Sequence, residues 1–297
     1  MRLVLAVSFL IGLTFLTSGC GRPCSDFALY LVRPDGTGKH RVKPAGSSEV
    51  FGAKWLPGGR RLVFDTYECP GGLETMGSDG SDVRHTHVAP AWAARGTGLL
   101  WIPDPKFPLS QKLGFTVVRP GRPPLKIRFH RGLNPSFCTD SDPIPELSPD
   151  GKLVLYPDKK DATADLYVVA VDGRSPPRRL THGLGMNNGR PIWSPDSTTV
   201  AYTTDADSGD AYVVNVRKPH PRLLARDVTN IAWSPDGKEL VVSRRHRDLE
   251  IVDSHGALIR TVAKSALAQI FDVTWAPAGW IAYVEDIGDS NQGKCLD

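Results

Sequence analysis

The sequence predicts an all-β chain folded as a six-bladed β-propeller, with the last blade closed by the N-terminal hairpin. Three observations carry this prediction. First, an aromatic or apolar anchor, a tight turn and an apolar strand recur at Trp55, Trp92, Leu147, Trp193, Trp233 and Trp275. The spacings are 37, 55, 46, 40 and 42 residues, the period of a four-stranded blade. Second, an alternating strand, a turn and a further strand recur between the anchors. Third, one such hairpin stands at the head of the chain before any anchor, while the final anchor has no hairpin after it. The half-units pair off only if the ring closes on itself, which also removes exposed sheet edges.

The elements follow in chain order. Leu29–Gly36 reads Leu-Tyr-Leu-Val-Arg-Pro-Asp-Gly, an outer hairpin without inner strands. Trp55, with Leu-Pro-Gly-Gly and a strand to Phe64, opens the next unit, and Leu73–Gly80 supplies its hairpin. Trp92 begins a degraded copy with a strand over Gly114–Gly121. Leu147 stands before Ser-Pro-Asp-Gly, followed by Leu166–Gly173 and Arg179. Trp193 and Trp233 stand before Ser-Pro-Asp-Ser and Ser-Pro-Asp-Gly, with hairpins at Ala211–Val216 and Leu249–Gly256. Trp275 precedes Ala-Pro-Ala-Gly and a last strand to Val284. In Ser-Pro-Asp-Gly, Pro presets φ at the second position and Gly suits the fourth. The strands that follow are β-branched or aromatic, as a buried strand requires. Asp-Gly between alternating strands marks the hairpins. The tryptophans are read as packing residues between blades, each ring burying about 150–250 Å².

These repeats resemble the TolB-type propeller repeat, whose hallmark is Trp-Ser-Pro-Asp-Gly-Lys, an apolar strand and then an Ile/Leu-Tyr strand. The resemblance spans residues 25–290 and is strongest over 147–284. It implies the propeller fold. TolB has a separate N-terminal domain and no lipid, and neither feature is matched, so a role in the Tol system is not implied. Similar propellers also stand beside peptidase domains and act alone as lyases of uronate sugars, so the fold does not define the function.

The head of the chain reads as an export segment. Arg2 precedes an uncharged apolar run over 3–16, too short to span a bilayer, and Thr17-Ser-Gly-Cys20 follows. This resembles a bacterial lipoprotein signal, with cleavage before Cys20 and lipidation of its thiol. Residues 1–19 are then the signal, 20–26 a short tether, 27–290 the propeller and 291–297 a C-terminal tail. Cys24, Cys69, Cys138 and Cys295 remain as disulfide candidates in an oxidising compartment. Sequence does not choose among their pairings, although ring closure would bring Cys24 near Cys295.

Composition narrows the function. A net charge of +4 with scattered basic residues gives no stripe for nucleic acid. No His-Glu-x-x-His, Gly-x-Ser-x-Gly or phosphate loop is present. Asp205–Asp210 lacks the full calcium pattern and reads as a hairpin loop. The insert over 102–146 reads as a degenerate blade with a long connection. If a ligand site exists, topology places it at the channel mouth. His85, His87, His130, His182, Asn187 and Arg190 lead the candidates there, with Asp140, Asp142, Asn188, Asp227 and Asp272 behind them. Solvated loop histidines are preferred over a metal centre. The expected protein is a monomeric, membrane-anchored binding or scaffold module of the cell envelope without catalytic residue, metal or cofactor. Its expected partner is a protein or envelope polymer. The alternative is a metal-assisted glycan lyase or hydrolase.

Overall fold

The computed structural model describes residues 27–42, 50–55, 59–66, 72–77, 80–86, 98–103, 112–118, 123–133, 145–159, 164–183, 191–204, 209–265 and 269–286. These form 22 strands, all paired antiparallel, and no helix. Accordingly, among the described residues no helix is long and apolar enough to cross a membrane.

The chain enters as β1 (Phe27–Val32) and β2 (His40–Val42). A first complete blade follows as β3 (Val50–Trp55), β4 (Arg61–Thr66), β5 (Gly72–Gly77) and β6 (Arg84–Thr86). The next unit shows β7 (Gly98–Pro103), β8 (Lys112–Val118) and β9 (Leu125–Leu133), and its anchor Trp92 lies outside the described residues. The third contains β10 (Glu146–Leu147), β11 (Leu153–Lys159), β12 (Ala164–Ala170) and β13 (Arg178–Arg179). Then come β14 (Ile192–Trp193), β15 (Thr199–Thr203), β16 (Gly209–Asn215) and the long β17 (Arg222–Trp233). That strand is the outer strand of the fourth blade up to Ala225 and the inner strand of the fifth from Val228, so the two blades share one seven-stranded sheet. The fifth continues through β18 (Glu239–Arg244), β19 (Asp248–Asp253) and β20 (Leu258–Lys264). The last inner strands are β21 (Gln269–Trp275) and β22 (Ile281–Asp286). The grouping is consistent with six blades.

Closure is direct. β1 pairs along its whole length with β22, from Phe27 opposite Asp286 to Val32 opposite Ile281, giving the sheet order β2-β1-β22-β21. The core lies between blades, not inside them. One cluster joins Leu29, Leu31 and Val284 of the last blade to Trp55, Leu62 and Phe64 of the first. Further clusters hold the second blade to the third, the third to the fourth, the fourth to the fifth and the fifth to the last. Each described anchor takes part in the cluster facing the preceding blade. Trp55, Trp193 and Trp233 are buried, and Leu147 does the same with a smaller side chain. Trp193 Nε1 also reaches the Glu146 carbonyl of the preceding blade at 3.4 Å.

Antiparallel meanders place alternate connections at opposite ends, so the ring has two different faces. Among the described residues, one face carries the Ser-Pro-Asp type turns and the outer hairpin turns. Ser148, Ser194 and Ser234 each donate a hydroxyl to the aspartate two residues on, at 2.7, 2.6 and 2.7 Å. Each hydroxyl also accepts the backbone N–H five residues on, at 3.0, 2.9 and 2.9 Å. These turns touch around the ring: Gly59, at φ 65°, lies so near Pro277 that a Cβ would stand 2.9 Å from its ring. The outer hairpins close with a hydrogen bond donated by the N–H of a fourth-position Gly of positive φ to the carbonyl three residues back, as at Gly36, Gly80, Gly173 and Gly256. A type I turn running into a left-handed Gly accounts for this. We call this the turn face.

Candidate functional site

The opposite face receives the first and last described residues, because Phe27 opens β1 and Asp286 closes β22 there. Three of its described features are built rather than loose.

In the third blade Asp165 is almost wholly buried at the head of β12. It accepts hydrogen bonds from the Arg179 guanidinium, from Thr181 Oγ1 at 2.9 Å and from the Gly183 N–H at 3.1 Å. Thr181 Oγ1 in turn accepts the Leu166 N–H at 3.0 Å. A buried carboxylate needs such partners. The network clamps the path that leaves β13 and sets His182 next to it, exposed. In the fourth blade Asp210 meets Arg226 at 3.3 Å, an exposed version of the same pairing.

The fifth blade is tighter. Arg245 and His246 both take positive φ, 53° and 56°, and the Arg247 N–H bonds the Arg244 carbonyl at 3.0 Å. This is a two-residue mirror-image turn, which Asn-Gly adopts most readily. Arg and His hold it here because two backbone bonds pin it. The Arg245 N–H donates to the Asp227 carbonyl at 2.9 Å, and the Ile270 N–H donates to the His246 carbonyl at 2.6 Å. Asp227 and Asp272 also have positive φ, 55° and 45°. Four of the six non-glycine residues with positive φ among the described residues therefore belong to these adjoining segments. Each such residue costs about 1–3 kcal/mol and persists only where its surroundings hold it. Beside the turn is an open depression of about 550 Å³ lined by Arg245, Arg247, Asp248, Lys264 and Ser265.

The expected ligand residues fare unevenly. His85 lies in β6 and His130 in β9, but their side chains lie outside the described residues. His87, Asn187, Arg190, Asp140, Asp142 and Asn188 lie outside them, as do Cys20, Cys24, Cys69, Cys138 and Cys295. Asp227 joins Arg245 in an ion pair at 3.5 Å. Among the described residues no three His, Cys, Asp or Glu side chains converge to hold a metal. Sequence reasoning missed Arg245, Arg247 and Lys264. The signal for the two arginines was the run Arg244-Arg-His-Arg247, which a uniform view of the charge passed over, whereas Lys264 joins them only through the pairing of β19 with β20.

No protein-family model matches the chain. A dipeptidyl-peptidase 5 from Arthroderma otae is 30% identical over a stretch covering 33% of this chain and 17% of the peptidase, so the match spans about a sixth of that enzyme. A TolB structure from Agrobacterium tumefaciens superposes with a TM-score of 0.56 at 18% identity, covering 89% of this chain and 99% of its own. A gluconolactonase from Xanthomonas campestris gives 0.52 at 15% identity, covering 89% and 98%. The chain is an all-β protein with a TolB-like propeller fold. At these identities the likeness concerns the fold alone.

Proposed function

We propose that the chain is an extracytoplasmic, lipid-anchored propeller acting as a non-catalytic binding or scaffold module for a protein or envelope polymer. The supporting observation is the attachment of its head. β1, the first described strand, is stitched between β2 and β22 inside the last blade. Cys20 stands seven positions before Phe27, a reach of at most about 25 Å for extended chain. A lipid on Cys20 would therefore hold the ring close to the membrane with its loop face toward the bilayer and its turn face outward.

Cys20→Ala tests the anchor. Labelling with a fatty-acid probe and membrane fractionation should both lose signal in this variant. Label retained without Cys20 would overturn the lipid assignment. Metal analysis of the purified protein tests the enzyme alternative, which would need a stoichiometric transition metal. We expect none.

A further inference from the structure

We propose that the depression on the loop face of the fifth blade is an anion site that docks on the phosphate headgroups of an acidic bilayer. The inference rests on the lipid-anchored reading for its geometry, and its chemistry comes from the residues themselves.

Three cations, Arg245, Arg247 and Lys264, line the depression with one carboxylate, Asp248. Asp248 and Lys264 are register partners across β19 and β20, yet neither enters an ion pair among the described residues. Arg247 likewise has no ion pair among the described residues. Arg245 meets Asp227 at 3.5 Å, but their side chains are 74% and 55% exposed, so solvent screens that pair and a phosphate can replace it. The neighbouring Arg244 is committed differently: its Nε donates to Glu250 at 2.8 Å and its Nη1 to the Arg226 carbonyl at 2.9 Å. That fixes the base of the turn and leaves its flanking cations facing water.

Position supplies the rest. The fifth blade adjoins the last one through a shared core, and the last blade carries Phe27 and Asp286, the first and last described residues, at the same face. A tether from Cys20 would hold this depression at the bilayer surface, where basic side chains are attracted to anionic headgroups within about a Debye length. The pinned turn matters because its cations are positioned before binding, and little ordering is left for the membrane to impose.

The test uses the full-length protein as cells produce it, reconstituted with vesicles of phosphatidylcholine alone or mixed equally with phosphatidylglycerol. Hydrogen exchange is read at residues 244–248 and 263–265, with the turn 234–239 as internal reference. The expected result is several-fold slower exchange on the acidic vesicles only, reversed by added salt and abolished by Arg247→Glu with Lys264→Glu. Both side chains are exposed, and an unchanged melting temperature would confirm that the double variant folds. The milder Arg247→Gln should give a partial loss. Equal exchange on the two vesicle types would overturn the proposal, as would protection surviving in the double variant. Protection by inorganic phosphate alone, equal to that on acidic vesicles, would overturn the bilayer as the ligand. Flotation with neutral vesicles reads the lipid anchor separately. Protein that floats on both vesicle types without extra protection has an anchor and no site. Protein that floats only on the acidic type has the site and no anchor.

Discussion

Ser197 stands where Gly151 and Gly237 stand in neighbouring turns, with φ 63° against 70° and 73°. A side chain in that conformation costs about 1–2 kcal/mol. Against this, the Ser197 hydroxyl accepts the Asp150 N–H of the preceding blade at 3.0 Å, a bond contributing about 1 kcal/mol. Ser197→Gly removes both effects and should leave stability within about 1 kcal/mol of the wild type. Ser197→Ala keeps the strain and loses the bond, so a loss of about 1–2 kcal/mol is expected. Chemical denaturation of the two variants checks the order, and an Ala variant as stable as the Gly variant would contradict it. Tyr202 offers the opposite case. Its phenol is buried without a hydrogen-bond partner, and burial followed by the neighbouring Tyr212 and Asp165 pushes its ionisation up. Phe64 fills the equivalent place in the first blade with no hydroxyl. Tyr202→Phe should therefore be neutral or stabilising by up to about 1 kcal/mol. Gly256 admits no such exchange. Its φ is 94° and a Cβ would stand 2.0 Å from the Leu224 carbonyl oxygen, so Gly256→Ala should cost well over 2 kcal/mol in the same experiment.

At the scale of elements, the Ser-Pro-Asp turns behave as one titrating set. The Ser234 hydroxyl, then the Lys238 N–H, hold Asp236 below the ordinary carboxylate range. For Asp150 and Asp196 partial burial pushes upward, but the serine hydroxyls and turn amides together outweigh it. A carboxylate depressed in the folded state adds stability above its unfolded value of about 3.9, and that stability is lost as the pH falls through the lower folded value. Melting temperature should thus hold steady from neutral pH to about 5 and fall below about 4. Replacing all three aspartates with Asn should flatten that fall, and an equally steep acid limb in the triple variant would remove the turns as its cause. The strand pairs repeat just as regularly. Tyr156 and Tyr167, Tyr202 and Tyr212, and Tyr283 and Tyr30 are register partners with ring centroids 5.7 Å apart. The Trp-Ser-Pro-Asp and Leu-Tyr or Ala-Tyr signatures were legible in the sequence because each is a local device. The Asp165 network was not, since its partners Arg179, Thr181 and Gly183 mean something only once β13 lies against β12.

At the scale of the molecule, the last blade joins chain segments separated by almost the full sequence. Lys39 meets Glu285 at 3.3 Å and stands 4.7 Å over the Tyr30 ring, while Arg33 stands 4.4 Å over Trp280. Leu29 and Leu31 are fully buried between the last and first blades. Leu31→Ala should cost about 2–5 kcal/mol and open residues 27–42 to protease. Leu258→Ala, at a side chain 57% exposed, should stay within about 0.5 kcal/mol. Equal losses in the two variants would show that ring closure does not concentrate stability at β1.

The order of repeats, the turn chemistry and the need for a hairpin from the head of the chain were all determined by the sequence, because turns and strand periodicity depend on neighbours only a few residues apart. Tertiary structure alone decided that two blades share one continuous strand, that Asp165 is a buried clamp and that Arg245, Arg247 and Lys264 meet in one depression. Those outcomes depend on which strand ends share a face and how their side chains are partnered, and such partners are brought together only by closing the ring.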